Sequence, residues 1–182
     1  NSGYNPIEVT PTGFRIVTQS GTWVNSINNY IYMAIRSSDG TVGKPRTATE
    51  LFAMDTGNNS STIPCFDSGF PVDFALRRQP AASSNWIAMA RLIQGKYLMT
   101  NSTNAEQSNS SGLTKFDSNV GFAEGDDNTH QGWMWRKSSS FTTVAWKGNG
   151  VAGHQIAHDL GPNNVPEMMW VKNRSQTSPT SY

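Results

Sequence analysis

Short runs of alternating apolar and polar residues, each closed by a cluster of Gly, Asn, Asp or Ser, recur along the chain. This pattern constrains the fold more than any other feature, because a period of two places successive side chains on opposite faces of a strand. Gly13-Phe14-Arg15-Ile16-Val17-Thr18 alternates in this way before a Gln-Ser-Gly turn. Tyr30–Arg36 is a β-branched and aromatic run closed by Ser37-Ser38-Asp39-Gly40; it reads as a strand buried on both faces and followed by a turn. Further strands fit Val72–Arg77, Trp86–Arg91, Lys96–Thr100, Gly132–Arg136, Thr142–Trp146 and Met168–Lys172. Thr47–Ala53 accommodates one helical turn. Asn85–Gln94 has partly helical spacing, but it is short and meets no stop before Gly95, so it reads as strand. The expected fold is all-β, an antiparallel β-sandwich of the jelly-roll or lectin-like kind.

A chain of 182 residues is long enough for one large sandwich or two small domains. Only 36% of it is hydrophobic and 15% charged, so its polarity comes from Ser, Thr, Asn and Gly. These residues bond their own backbone in turns and compete with helical hydrogen bonds. The formal net charge is +1 and the basic residues are scattered, which gives neither a nucleic-acid footprint nor a patch for an anionic membrane. Cys65 is the only cysteine, so no internal disulfide framework exists, and its neighbours Ile63, Pro64 and Phe66 point to a buried, inert thiol. No apolar run approaches membrane-spanning length.

Internal repetition is the second signal. Phe52–Asn59 is similar to Val144–Gly150. Each is followed by an Ile (Ile63, Ile156), a Gly (Gly69, Gly161), a Pro (Pro71, Pro166) and an apolar strand with a basic end (Val72–Leu76 then Arg77-Arg78; Met168–Val171 then Lys172-Asn173-Arg174). Likewise Gly13-Phe14 leads to Tyr32-Met33 as Gly121-Phe122 leads to Trp133-Met134, and both end on an Arg, Arg36 or Arg136. The unit is about a hundred residues long, the size of one small sandwich. The expected organisation is the rear part of one unit in 1–43, a complete unit in 44–140 and the front part of another in 141–182. The chain begins at Asn1 rather than Met; with a partial unit at each end, it is expected to be a piece of a longer array, or to complete a second sandwich by pairing 141–182 with 1–43.

The block Phe141–Gly150, then His158-Asp159-Leu160-Gly161, then Val165–Arg174, resembles repeats in large virion proteins of marine bacteriophages, tail or tail-fibre proteins. Those repeats carry a comparable order of a Gly-Asn-Gly turn, a His-x-Leu-Gly turn and a Pro-led strand ending in Val-Lys-x-Arg. Tyr97–Ala105 and Tyr30–Arg36 look like further stations of the same repeat, while Trp135-Arg136 and Glu124–Asp127 depart from it. The resemblance covers most of residues 10–174. It implies a concanavalin-type, lectin-like sandwich in an elongated extracellular virion appendage. It further implies homo-oligomers or other virion proteins as partners, and host-surface glycan as a target. It implies no reaction and no catalytic residues.

On a strand over 153–160, His154, Ile156 and His158 would share one face, but zinc needs three or four ligands. The preferred reading has His158 bonding a turn backbone and His154 exposed. Asp126, Asp127 and Asn128, beside Gly125, form a candidate calcium loop without the EF-hand spacing, but a plain solvated loop is the preferred reading; no cofactor is expected, calcium being the one ion the loop could take. A glycoside hydrolase needs two facing carboxylates, and no pair is singled out, so the chain is read as a non-enzyme. A secreted or cell-surface carbohydrate-binding module is the alternative function. Of six tryptophans, Trp133, Trp146 and Trp170 are read as core. Trp135 shares the parity of Trp133. Trp23, in a Gly-Thr-Trp-Val-Asn loop, and Trp86, after Ser83-Ser84-Asn85, are the candidate exposed platforms for sugar rings, set against the preferred reading that Trp23 packs under its own loop.

Overall fold

The structure is a computed structural model that describes residues 7–10, 13–17, 29–35, 48–109, 111–125, 128–162 and 164–175. It is all-β. The elements in chain order are β1 (Ile7–Thr10), β2 (Gly13–Ile16), β3 (Asn29–Ile35), α1 (Ala48–Leu51), β4 (Phe52–Thr56), β5 (Phe66–Asp67), β6 (Phe74–Arg78) and β7 (Ile87–Ala90). After a 3-10 turn at Arg91–Ile93 come β8 (Lys96–Met99), β9 (Gln107–Ser108), β10 (Gly121–Phe122), β11 (Gln131–Trp135), β12 (Phe141–Lys147), β13 (Gln155–Ala157) and β14 (Met168–Asn173). Every strand pair is antiparallel. The chain divides into two compact units, one made of Asn1–Gly43 with Ser139–Tyr182, the other of Lys44–Ser138.

In the unit of Lys44–Ser138 a six-stranded sheet runs in the order β4-β11-β6-β7-β8-β9, and β5 pairs with β10 apart from it. Register decides which residues face inward. Met134 lies opposite Ala53 and Ala75, and this face meets Phe66 and Phe122 of the β5–β10 pair in one core with Val72, Met89 and Phe116. Phe66 and Phe116 each stack on Phe122, with centroids 5.1 and 5.4 Å apart. Cys65 is fully buried in this core. Burial of the large side chains is worth about 1.5–3 kcal/mol each, which outweighs the poor strand propensity of the Gly- and Asn-rich segments between them.

The segment read as the strand Trp86–Arg91 is shorter than that: β7 ends at Ala90, and Arg91 begins the 3-10 turn. The Arg91 N–H still donates to the Asp73 carbonyl at 2.9 Å as the chain turns, and its side chain is tethered. Its Nε and Nη2 donate to the Val72 carbonyl at 3.1 and 2.8 Å, Nη1 donates to the Phe116 carbonyl, and Asp73 Oδ1 lies 3.4 Å from Nε. One side chain thus ties the loop before β6 to the segment before β10.

In the unit of Asn1–Gly43 with Ser139–Tyr182, β3 lies between β12 and β14, and a second sheet runs β1-β2-β13. Tyr30, Ile31, Tyr32 and Met33 are all buried, as expected of a central strand with partners on both edges. Its inward face places Tyr30 and Tyr32 with Phe14, Trp146, Ile156 and Leu160 in one core. Trp146 stacks on Tyr30 at 5.1 Å and meets Phe14 edge-on at 5.4 Å. The Tyr32 hydroxyl donates to the Ala157 carbonyl at 3.0 Å, and its pKa is raised, first by burial and then by the Asp159 carboxylate.

Candidate functional site

The face of the six-stranded sheet turned away from the core is aromatic. Because side chains alternate along each strand, the register that sends Met134 inward sends Trp133 and Trp135 outward, opposite Met54 and Phe52 on β4 and opposite Leu76 and Phe74 on β6. Trp133 is therefore half-buried on this outer face, which corrects the expectation that it belongs to the core. Trp135 lies on the same face with Phe52 and Phe74, centroids 5.0 and 5.5 Å away. Phe52 and Met54 are 37% and 58% exposed, so the β4 end of the face is open to solvent.

Trp86, half-buried just ahead of β7, joins this face. Its ring lies 5.0 Å from that of Trp133 at an interplanar angle of 38°, and the Arg78 guanidinium sits 5.3 Å from its centroid. Stacked cation and ring attract through the ring quadrupole. Arg78 Nη2 reaches the Ala82 carbonyl only at 3.5 Å, its Nε is buried without a hydrogen-bond partner, and among the described residues it has no carboxylate partner. The rim is polar. Asn101 accepts the Trp86 backbone N–H at 3.0 Å through Oδ1 and donates to Asn85 Oδ1 at 3.1 Å through Nδ2. The site thus combines two indoles, a cation without a carboxylate partner among the described residues, and exposed amides. Trp86 was legible in the sequence; Trp133 and Arg78 were not, although the shared parity of Trp133 and Trp135 was.

The other candidates fare differently. Trp23, Asp126 and Asp127 lie outside the described residues. Asn128 is exposed, and neighbouring Glu124 is ion-paired with Lys115. Among the described residues no group of three or more His, Cys, Asp and Glu side chains is placed to hold a metal, and no helix is long and apolar enough to cross a membrane. Trp146 belongs to the core, but Trp170 is 42% exposed, a second correction: it lies opposite Met33 on the face away from the core.

His154 and His158 flank Ile156, whose side chain is buried. His158 is buried too, and its Nδ1 accepts the Leu160 backbone N–H at 3.3 Å. Burial holds its pKa below the ordinary 6.5, against the opposing pull of backbone hydrogen bonds and the Asp159 carboxylate. His154 is half-buried rather than exposed, because the parity of Ile156 carries it inward.

The carboxylates hold backbone and side chains in place. Asp55 Oδ2 accepts the Asp67 N–H at 2.7 Å, Asp73 Oδ2 accepts the Lys137 N–H at 2.6 Å, and Asp117 takes both hydrogen bonds of the Gln94 amide. A cavity of about 320 Å³ opens on the core side of the same sheet, lined by Arg77, Tyr97, Asn109, Leu113 and Glu124 among others. No family model matches the chain, and neither a curated protein nor a solved structure matches it.

Proposed function

We propose that this chain is a non-enzymatic structural and adhesive module, built from a repeated lectin-like β-sandwich unit and belonging to an extracellular assembly. The motif order quoted above makes a bacteriophage tail or tail fibre the preferred setting, with the aromatic face as its contact with host-surface glycan. The observation that carries the repeat reading is a correspondence of strand order. Read through 141–173 and then on from 13 to 35, the elements β12, β13, β14, β2 and β3 follow one another as β4, β5, β6, β10 and β11 do in 52–135. The central strand is flanked alike, β12-β3-β14 against β4-β11-β6, and β13 pairs with β2 as β5 does with β10.

Individual stations agree as well. Gly13 lies opposite Ala157 and Gly121 opposite Asp67, and at each a Cβ would run into a backbone carbonyl oxygen, of Ile156 and of Phe66 respectively. Asn58 and Asn149 each accept the N–H two residues on at 2.9 Å, and each is followed by a residue of positive φ, Asn59 at 61° and Gly150 at 72°. Ser68 Oγ and His158 Nδ1 each accept the N–H two residues on, of buried Phe70 and Leu160, at 3.3 Å. Matching turns, close approaches and ladders are what a duplicated unit preserves, because each is set by backbone geometry rather than by side-chain identity.

Two measurements test the reading. Residues 44–138 expressed alone are expected to unfold in a single cooperative transition; a fragment without one would refute the repeat unit. Sedimentation of the full chain is expected to reveal self-association as concentration rises, and a monomer at every concentration would refute the fibre setting. The alternative, a secreted or cell-surface carbohydrate-binding module, rests on the Trp86–Trp133 cluster, which serves either setting.

A further inference from the structure

We infer that the Trp86–Trp133–Arg78 cluster is a site for an acidic saccharide, one whose sugar rings carry carboxylates. The inference rests on the adhesive reading and narrows its ligand. A sugar ring presents an apolar C–H face that packs on an indole, and the half-buried Trp86 and Trp133 indoles lie packed together on the outer face, tilted at 38° with centroids 5.0 Å apart. Aromatic rings contribute large contact area at low conformational cost, and a half-buried pair at a surface is placed for that use.

The charge of the ligand follows from Arg78. Most guanidiniums that are partly withdrawn from water are matched by carboxylates or several carbonyls. Among the described residues its one acceptor is the Ala82 carbonyl, 3.5 Å from Nη2, and Nη1 has no hydrogen-bond partner. The cation–π contact places the guanidinium over the Trp86 ring, 5.3 Å from its centroid, without using its N–H donors. A ring-borne carboxylate reaching Nη1 would form a charge-assisted hydrogen bond. Exposed Asn85, whose Oδ1 is engaged by Asn101 while its Nδ2 bonds none of the described residues, sits at the rim to bond hydroxyls. Apolar platform, fixed cation and amide donor together select a carboxylated ring over a neutral one, and over a compact anion that offers nothing to stack.

The test is titration of the full chain with oligogalacturonate, oligoguluronate, hyaluronan and oligosialic acid, each beside its own carboxyl-reduced counterpart, and with polyphosphate. At least one carboxylated oligosaccharide is expected to bind roughly tenfold or more tightly than its reduced counterpart, the value of one charge-assisted hydrogen bond. Arg78→Gln should erase that difference, Arg78→Lys should keep part of it, and Trp133→Ala should weaken both members of the pair. If the reduced and native sugars bind alike and Arg78→Gln changes neither, the acidic ligand is refuted and a neutral glycan site remains. Polyphosphate binding as tightly as the best sugar, with indifference to Trp133→Ala, refutes the saccharide in favour of simple charge attraction. If no sugar binds, the saccharide site is refuted while the repeat and its self-association stand on their own measurements. Circular dichroism of each variant excludes misfolding, and Arg78→Lys keeps the cation should Arg78→Gln fail to fold.

Discussion

Gly121 gives the sharpest perturbation, because the contact it permits is between backbones. It lies opposite Asp67 where β10 meets β5, and a Cβ there would come within 3.0 Å of both the Phe66 carbonyl oxygen and Pro64 Cβ, closer than side-chain carbons approach such atoms. A flexible side chain could swing aside; a strand backbone and a proline ring cannot. For Gly121→Ala the relief is separation of β10 from β5. That loses the two-residue ladder, at about 1 kcal/mol per hydrogen bond, and loosens the stack of Phe66 on Phe122, at about 0.5–1.5 kcal/mol. The sum is a loss of about 2–4 kcal/mol, in line with overpacking in well-filled cores. Gly95→Ala is the control. Nothing lies within 4 Å of its Cβ position, but its φ is +85°, so alanine there costs only left-handed strain of about 1–2 kcal/mol. Urea unfolding followed by tryptophan fluorescence measures both. A Gly121→Ala protein as stable as wild type, or more stable than Gly95→Ala, would refute the close-approach reasoning.

Other perturbations probe other contacts. His158 has its pKa lowered in the folded state, so the unfolded chain takes up the proton more readily. Its contribution is complete above about pH 6.5 and is lost as pH falls toward the folded value. His158→Asn keeps an acceptor for the Leu160 N–H without a titrating ring, and should flatten that part of the stability–pH profile; an unchanged profile would count against His158 as the source. Arg91→Met keeps the aliphatic stem but strips the tethers to Val72, Phe116 and Asp73. It should destabilise the fold by about 2–4 kcal/mol, and a change under about 0.5 kcal/mol in thermal or urea unfolding would show the tether to be dispensable. Cys65, fully buried, should react with an aromatic disulfide reagent only as the protein unfolds, so a fast native reaction would contradict its placement.

Much of this molecule is legible in its sequence. Alternation in Gly13–Ile16, Gln131–Trp135 and Phe141–Lys147 marks strands without any tertiary information, because backbone pleating alone imposes the period. The turn chemistry is equally local: Asn149-Gly150 supplies both the side-chain acceptor and the positive φ that its turn requires. The parity shared by Trp133 and Trp135 is local too.

What parity cannot say is which face is inside. That choice belonged to Met134, through a register that sets it opposite Ala53 and Ala75 and over Phe66 and Phe122, and it turned Trp133 outward to meet Trp86. The Arg78–Trp86 contact joins the end of one strand to a residue just ahead of the next and leaves no local pattern. Arg91 carries helical spacing in the sequence, yet its tethers to Val72 and Phe116 tie together segments far apart in the chain, which no local pattern foretells. Local sequence determined the strands, the turns and the relative parity of side chains, since these follow from the backbone of a few neighbouring residues. Only the tertiary structure decided which parity is core, which cation lies over which ring and which aromatics meet, because each depends on pairing between residues that no local pattern links.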